Sequence, residues 1–315
     1  MHVIFLESNL SPSSPTRTWA NALSREAVSC QVIDLLDVST WQLVKEYFRC
    51  DVVVIQIYSI ISDYNLFRLC IAVLMGKPIV RKWSGTDALN LDTRGDIKQR
   101  FLQLDKLVAL NLTSEHQGII DELNRNGLQC ELTPQVLSSK MCVQLQATDM
   151  PPRKILIYLP SHNREFYSAN LMEDVIKANP YYEFLVLADK EHVLSTYQNV
   201  SSLGWVEDME PVWAQTAVLL RITKHDGFAR MMVDALSRGK YVIHNQALPG
   251  INVANNLQDI SALLQQNSVN KAGIDAIKTM IALQPELSLK RALASARVSI
   301  RNWRYALKVA LVSRL

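Results

Sequence analysis

Short apolar runs alternate with helix-period segments along most of this chain, which is the pattern of an α/β protein. In the first half, the predicted strands are residues 3–6, 31–35, 52–58, 78–82, 107–112 and 131–133. The predicted helices between them are residues 16–28, 41–48, 66–75, 97–104 and 115–126, with Gly127 as a stop signal for the last one. This alternation predicts a parallel sheet that is covered by helices on both faces.

The alternation is interrupted between residues 135 and 153 and then resumes. The predicted strands of the second half are residues 155–159, 184–188, 202–206, 217–222 and 241–244, and the helices are 165–178, 191–197, 210–215 and 228–237. We therefore predict two doubly wound, Rossmann-like α/β domains that face a cleft, at residues 1–150 and 151–285, followed by a C-terminal helix at 286–315. Ligands of such sheets bind at the carboxyl ends of the strands.

Composition narrows the class of protein. The 315 residues are 49% hydrophobic and 20% charged, and the formal net charge of +3 is too small to indicate nucleic acid as a partner. The apolar runs are too short to span a bilayer, and the first residues are typical of a strand rather than of a signal peptide. We expect a cytoplasmic protein on these grounds.

The residues that commonly hold metals are spaced widely. The five cysteines form no Cys-x-x-Cys, no two histidines have a metal-ligand spacing, and no Asp-x-Asp occurs. We expect reduced cysteines, no metal site and no bound cofactor.

The segment 217–243, AVLLRITKHDGFARMMVDALSRGKYVI, predicts a strand, a polar turn, a helix with a glycine stop and a second strand. Asp226, Gly227 and Phe228 lie at the start of the predicted helix, and Asp234 follows eight residues after Asp226. A helix N-terminus binds phosphate, and carboxylates accept hydrogen bonds from sugar hydroxyls, so this turn suits a nucleotide sugar. The alternative is a solvated helix that carries ordinary acidic residues.

Four segments together resemble a known family. HDGFARMMVDALSRGKYVI (225–243) is similar to the donor-site signature of retaining GT-B glycosyltransferases of the family 4-like, group 1 type, in which Glu-Gly-Phe is followed by a second Glu. KWSGTDAL (82–89), LIYLPSHNREFY (156–167) and GWVEDM (204–209) are similar to further segments of these enzymes, in the same order. The sequence departs from the family because both glutamates are aspartates and the Gly-rich turn after the first strand is replaced by SNLSP (8–12).

The resemblance implies roles for particular residues. Asp226 would bind hydroxyls of the donor sugar, Asp234 the ribose, and the backbone N–H groups of residues 227–229 the diphosphate. Arg164 and Lys224 would supply positive charge to the phosphates. The resulting catalytic candidates are Asp226, Lys224 and Arg164, and the donor-binding candidates are Asp234, Gly227, Phe228, Ala229, Arg230, Arg221 and His225.

Several of these residues have a structural alternative. The alternative role of Arg221 is an internal ion pair with Asp226. The alternative for Arg164 is an ordinary position on a surface loop. His225 would orient the sugar or Asp226, or else serve as a capping or packing residue. On the acceptor side, Gly85, Thr86 and Asp87 would lie in the cleft near the transferred sugar, or form a helix cap.

The function that the resemblance implies is transfer of a sugar from a nucleoside diphosphate donor, with retention and without a metal. The acceptor would be a glycan or a lipid-linked saccharide, and the departing phosphate would act as the base. Two other functions remain on the same fold. One is nucleotide-sugar epimerisation, and the other is non-catalytic binding of a nucleotide sugar or glycan.

The C-terminal segment 289–315 has seven basic residues and no acidic one. Arg297, Arg301, Arg304 and Lys308 share one stripe at helical spacing. The family resemblance favours a terminal helix that crosses back to brace the first domain. A basic amphipathic helix is also suited to peripheral contact with the inner face of an anionic membrane.

Overall fold

The computed structural model describes residues 1–7, 14–56, 62–137, 154–265 and 270–312. The chain forms two compact units, one of Met1–Ser138 with Leu283–Leu315 and the other of Ser139–Ala282. Several sequence predictions lie outside the described residues: the SNLSP loop at 8–12, the last two residues of the strand predicted at 52–58, Cys142, the domain boundary at 150, and residues 313–315 of the predicted C-terminal helix.

The first unit is built on a parallel sheet. Its strands are β1 (His2–Glu7), β2 (Ser29–Asp34), β3 (Val52–Gln56), β4 (Ile79–Trp83), β5 (Val108–Thr113) and β6 (Glu131–Leu132). Within the described ranges the sheet has six strands in the order β2-β1-β3-β4-β5-β6, and each pairing is parallel. The apolar runs of the first half therefore form the sheet that their alternation with helices predicts.

Helices cover both faces of this sheet. They are α1 (Pro15–Arg25), α2 (Thr40–Arg49), α3 (Asp63–Leu74), α4 (Gly85–Thr93), α5 (Gly95–Asp105) and α6 (Gln117–Arg125). The first core forms where α2 and α3 pack on one face through residues such as Tyr47 and Leu69. The second forms where α1 packs on the other face through Trp19 and Leu23. The helix α4 was missing from the sequence prediction, which recognised only its cap.

The C-terminal segment packs on this first unit. Its helices are α12 (Pro285–Ser295) and α13 (Ile300–Val312). Leu289 and Leu293 of α12 join the core beneath α1. Asn302 of α13 donates to the carbonyls of Lys106 and Val108 at 2.9 and 3.0 Å. These contacts fix α13 against the end of α5 and the start of β5.

The second unit has a parallel sheet of its own. Its strands are β7 (Lys154–Tyr158), β8 (Glu183–Leu187), β9 (Val200–Gly204), β10 (Val218–Arg221), β11 (Tyr241–His244) and β12 (Asn252–Val253). The order of these described strands is β12-β11-β10-β7-β8-β9, with parallel pairing throughout. The chain runs outward from β7 in one direction and then from β10 in the other, so the order reverses between β7 and β10. Such a reversal marks the ligand-binding crevice of doubly wound sheets.

Of the helices predicted in the second unit, the one at 210–215 has the predicted bounds, whereas the ones predicted from 165 and 228 begin later. The helices of this unit are α7 (Ala169–Ala178), α8 (Glu210–Gln215), α9 (Arg230–Ser237), α10 (Leu257–Leu264) and α11 (Lys271–Ala282). The prediction of a helix from residue 165 was wrong because Ser168 has a left-handed backbone with φ of 52°, which separates the preceding turns from α7.

Two further helix predictions need correction. The helix predicted at 191–197 is only a short 3-10 turn at Val193–Thr196, which follows His192 with φ of 51°. The helix predicted from residue 228 begins at Arg230 because Ala229 has an extended ψ of 134°. Of the described helices, none has the length and apolarity needed to cross a membrane.

Candidate functional site

The candidate site lies at the carboxyl ends of three neighbouring strands in the second unit. Tyr158 ends β7, Arg221 ends β10 and His244 ends β11. Arg221 and His244 are partners in the β10–β11 register, and Leu220 is paired with Ile157, which places Arg221 beside Tyr158. The reversal of strand order therefore brings these three side chains to one edge of the sheet.

Arg221 is held by one carboxylate and two aromatic rings. Its Nε donates to Oδ2 of Asp226 at 2.6 Å, and its guanidinium carbon lies 5.5 and 5.2 Å from the ring centroids of Tyr158 and Tyr167. The side chain is only 9% exposed. Burial opposes its charge, but Asp226 outweighs burial and raises the pKa of Arg221. The ion pair that the sequence offered as an alternative role for Arg221 is present.

His244 was not among the sequence candidates, and it faces the same carboxylate. Its Nδ1 accepts a hydrogen bond from the backbone N–H of Gln246 at 3.0 Å, so the ring proton of the neutral form is on Nε2. That Nε2 lies 3.7 Å from Oδ2 of Asp226, and the ring is wholly buried. The available signal was a histidine at the end of the strand predicted at 241–244, next to the strand that precedes Asp226.

Asp226 is therefore fixed from three sides. Its Oδ2 faces Arg221 and His244, and its Oδ1 accepts from the backbone N–H of Gly227 at 3.0 Å. Burial alone would raise the pKa of Asp226, but the neighbouring imidazole of His244 and the charge of Arg221 outweigh burial and lower it. The result is a positioned, ionised carboxylate at the carboxyl end of β10.

The turn that carries Asp226 is tied to both neighbouring loops. The amide side chain of Asn245 exchanges two hydrogen bonds with the backbone of Thr223, at 3.2 and 2.8 Å. The backbone N–H of Lys224 donates to the carbonyl of Phe166 at 2.9 Å. These bonds fix the turn relative to the loops after β7 and β11.

Lys224 and His225 lie in this turn with different surroundings. The ammonium of Lys224 pairs with the carboxylate of Glu165, and both side chains are largely exposed. His225 is half-buried. The structure thus brings Lys224 next to the loop that follows β7, and this loop also carries Arg164.

The start of α9 follows the turn directly. Phe228 is buried and anchors the turn, Gly227 is buried beside it, and the exposed Arg230 opens the helix. Ala229 is the N-cap residue, and its methyl side chain cannot accept a hydrogen bond from the first turn of the helix. A helix that starts in this way offers its N-terminal N–H groups and dipole to an anion.

Asp234 lies on α9 within a cluster of charges. It accepts from Nη1 of Arg238 at 3.0 Å, and Nη2 of Arg238 donates to Glu210 at 2.7 Å. Its side chain is 27% exposed. Burial raises the pKa of Asp234 even though Arg238 opposes the shift.

The helix predicted at 165–178 would put Arg164 at a helix start, but the structure places Arg164 several residues before α7. Arg164 follows a 3-10 turn at Ser161–Asn163, and Ala169 is the first residue of the helix. Nη1 of Arg164 donates to Oδ1 of Asp189 at 3.3 Å, and Asp189 is wholly buried. A second bond to Asp189 comes from the hydroxyl of Ser202 at 3.0 Å. The buried carboxylate of Asp189 therefore holds the guanidinium of Arg164 in position.

The acceptor-side candidates lie in the first unit at the start of α4. Oδ2 of Asp87 accepts from the hydroxyl and the backbone N–H of Ser84 at 2.8 and 3.3 Å, so the cap role of Asp87 is confirmed. Asp87 is wholly buried, and burial raises its pKa to about 6. Gly85 is also buried, whereas Thr86 is exposed.

Within the described ranges, no three His, Cys, Asp or Glu side chains converge as metal ligands. Cys30, Cys50, Cys70 and Cys130 are free thiols. Cys142 lies outside the described residues.

Comparison with known proteins shows the fold. No family model matches the sequence, and no curated protein matches it either. Among solved structures, Anabaena HepE in complex with UDP has a TM-score of 0.65 at 11% identity, over 93% of this chain and 98% of HepE. Sucrose-phosphate synthase from Thermosynechococcus elongatus has a TM-score of 0.65 at 10% identity, over 94% of this chain and all (100%) of the synthase.

A third similar structure is an enzyme of another kind. UDP-N-acetylglucosamine 2-epimerase from Rickettsia bellii has a TM-score of 0.55 at 12% identity, over 94% of this chain and 96% of the epimerase. The chain thus has the GT-B fold class, with two parallel α/β units, as the sequence predicted.

Proposed function

We propose that this chain is a glycosyltransferase that moves a sugar from a nucleoside diphosphate donor to a glycan or lipid-linked saccharide. The transfer retains the anomeric configuration and needs no divalent metal. The likeness of fold to HepE with bound UDP and to sucrose-phosphate synthase supports donor binding and sugar transfer. The observation that carries the proposal is the ionised Asp226, held at the reversal of strand order directly before an uncapped helix.

The donor diphosphate would bind at the start of α9. The N-terminal N–H groups of the helix and its dipole favour the phosphate charge. Arg164 and Lys224 would add positive charge from the two loops that meet at this edge. Because the Lys224–Glu165 pair is exposed, water screens it, and a phosphate can replace Glu165 as the partner of Lys224.

Asp226 and Asp234 would bind different parts of the donor. Asp226 accepts hydrogen bonds from the sugar hydroxyls, and its charge is maintained by His244 and Arg221. Asp234 follows on the same helix and accepts from the ribose hydroxyls. The separation of eight residues matches the spacing in the family signature, although each side chain is one methylene shorter.

The chemistry would depend on the departing phosphate. An oxygen of the nucleoside diphosphate takes the proton of the acceptor hydroxyl as the bond to the sugar breaks, so no dedicated protein base is required. Arg164 and Lys224 stabilise the charge that develops on this leaving group. The lack of Asp-x-Asp in the sequence motivates a reaction that uses these cations instead of a metal.

The test is release of nucleoside diphosphate from a panel of UDP-, GDP- and ADP-sugars with saccharide acceptors. We expect turnover with at least one donor and a loss of at least tenfold in turnover, per folded molecule, for Asp226→Asn. Asp275→Asn is the matched control, because Asp275 is 74% exposed on α11 of the same unit. Equal turnover of both variants would refute the role of Asp226.

Two other functions have distinct outcomes in this assay. Epimerisation, which the likeness to the Rickettsia bellii enzyme supports, would change the sugar in the absence of any acceptor, and NMR of the nucleotide sugar detects this. A non-catalytic binding protein would raise its melting temperature with a nucleotide sugar but leave that ligand unchanged.

A further inference from the structure

Three helices of the first unit form one layer on a single face of its sheet. Buried residues of α2, α3 and α13 all join the same core, among them Leu43, Leu69 and Ala306. The helix α3 contacts both α2 and α13, so it lies between them. The sides of these helices that point away from the sheet therefore form one surface, which we name the outer helical face.

The middle helix, α3, is apolar on both sides. Leu69, Cys70, Ala72 and Val73 are buried toward the sheet. On the opposite side, Tyr64 is 58% exposed and Phe67 is half-buried, whereas the half-buried Ile71 and Leu74 of the same stripe pack against the core. A helix that is apolar all round is normally covered on both sides.

The charged residues of α3 do not alter this picture. Arg68 turns toward the protein and donates to the carbonyls of Leu35 and Val38 at 3.0 and 2.8 Å. Asp63, at the first position of the helix, pairs with Arg100. The outward side of α3 between Tyr64 and Leu74 is left without a charge.

The outer side of α2 adds two aromatic side chains and a cation. Trp41 and Phe48 are 68% and 73% exposed, and Lys45 lies between them on the same stripe. The ammonium of Lys45 is 5.7 Å from the ring centroid of Trp41. Exposed aromatic rings beside a lysine are typical of a surface that meets the boundary between lipid and water.

The outer side of α13 combines apolar residues with cations. Ile300, Leu307 and Leu311 recur along one stripe and are 73%, 37% and 59% exposed. Exposed Arg304 and Lys308 lie directly beside this stripe, and α13 contains no acidic residue. The inward side, with Asn302 and Ala306, faces the protein.

The excess of basic over acidic residues on the outer helical face indicates the charge of its partner. The acidic residues of α2 and α3 are Glu46 and Asp63, and each pairs with an arginine. The apolar surface also carries positive charge from Lys45, Arg304 and Lys308. No acidic residue of these three helices offsets this charge. A surface of this kind gains both from burial of its aromatic rings and from attraction to anionic headgroups.

We propose that the outer helical face binds an anionic lipid surface. Trp41 and Phe48 enter the headgroup region, and Lys45, Arg304 and Lys308 contact the lipid phosphates. The proposal does not depend on sugar transfer, because the binding needs neither donor nor acceptor.

The test is sedimentation of the full chain with vesicles, without substrate. We expect binding to vesicles of phosphatidylcholine with phosphatidylglycerol, a decrease at high salt, and little binding to phosphatidylcholine alone. Arg304→Gln with Lys308→Gln should weaken partitioning by about 10- to 30-fold, from about one kilocalorie per mole for each charge. Trp41→Ser with Phe48→Ser should weaken it by at least tenfold.

Matched controls lie in the second unit. Lys271→Gln with Lys278→Gln removes the same charge from α11, and Tyr181→Ser with Trp205→Ser removes exposed aromatic rings of similar size. Both control pairs should bind as the parent does. No binding to the anionic vesicles, or an equal loss in face variants and controls, would overturn the proposal.

Light scattering tests a second copy of the chain as the occupant instead. A parent dimer that Trp41→Ser with Phe48→Ser converts to a monomer would also overturn the proposal. The melting temperature of each variant confirms that it is folded, and all the changed side chains are exposed.

Discussion

Arg221 and His244 are register partners across β10 and β11, and both face the same oxygen, Oδ2 of Asp226. The distances are 2.6 Å from Nε of Arg221 and 3.7 Å from Nε2 of His244. Two strand ends therefore orient one carboxylate of the following turn. Because all three groups are largely buried, a change in any one of them alters the protonation or the stability of the others.

Asp226→Asn should destabilise the protein, since Arg221 would remain buried and charged without its opposite charge. We expect a loss of about 2–4 kcal/mol in the free energy of unfolding, measured by chemical denaturation. Arg221→Met combined with Asp226→Asn should recover part of this loss. Purely additive effects of the two changes would contradict a direct coupling between the residues.

His244→Phe should lower the stability of the protein at neutral pH and make that stability less dependent on acid pH. The folded-state pKa of Asp226 is lowered, so its stabilising contribution is present at neutral pH and is lost as pH falls through that pKa. Without His244 the folded-state pKa of Asp226 lies nearer its unfolded value, so less stabilisation is present at neutral pH and less is lost on acidification. Urea midpoints between roughly pH 6 and pH 3 measure this. His244→Gln is the control, because its polar amide can donate to Asp226 and should retain part of the parent pH profile.

Asp234→Ala should weaken the binding of nucleoside diphosphate and of nucleotide sugar equally, by about 1–3 kcal/mol for a lost charge-assisted contact. Isothermal titration with both ligands measures the effect. Glu210→Gln is the matched control because it disturbs Arg238 and leaves Asp234 in place. If the control weakens binding as much as Asp234→Ala does, the effect comes from the charge cluster rather than from contact with ribose.

Asp87→Asn should stabilise the protein increasingly as pH rises. Burial raises the folded-state pKa of Asp87 from 3.8 to about 6, so its contribution is complete below the lower value and is lost through the higher one. The difference corresponds to about 3 kcal/mol between acidic and neutral pH. The variant keeps an oxygen that can accept from Ser84.

The measurement for Asp87 is the difference in unfolding free energy between variant and parent at several pH values. Asp92→Asn, an exposed position on the same helix, is the control. A difference for Asp87→Asn that stays constant between roughly pH 4 and pH 7 would show that the carboxyl remains ionised throughout.

Transfer should continue in the presence of a chelator. Cationic side chains beside the proposed phosphate site, Arg164 and Lys224, stabilise the leaving group in this mechanism. Lys224→Gln should therefore lower turnover more than it lowers affinity for the free nucleotide. Activity that disappears with chelator and returns with magnesium or manganese would refute metal independence.

The fold was largely predictable because it depends on short-range patterns. The apolar runs that became β1, β3, β7 and β10 are buried on both faces, so they contrast with the polar loops around them. Such a contrast is visible in any window of a few residues. The starts of α7 and α9 are not visible in such a window, because they depend on the left-handed backbone of Ser168 and the extended backbone of Ala229.

The sequence by itself determined the two parallel α/β units and placed Asp226 at the turn after a buried strand, because both follow from local hydrophobic periodicity and turn chemistry. Only the tertiary structure decided which charges Asp226 meets. His244 is separated from it by 18 positions, and the two come together because β10 and β11 are neighbours in the sheet. The burial of Asp87 was decided in the same way, by contacts between segments distant in the chain.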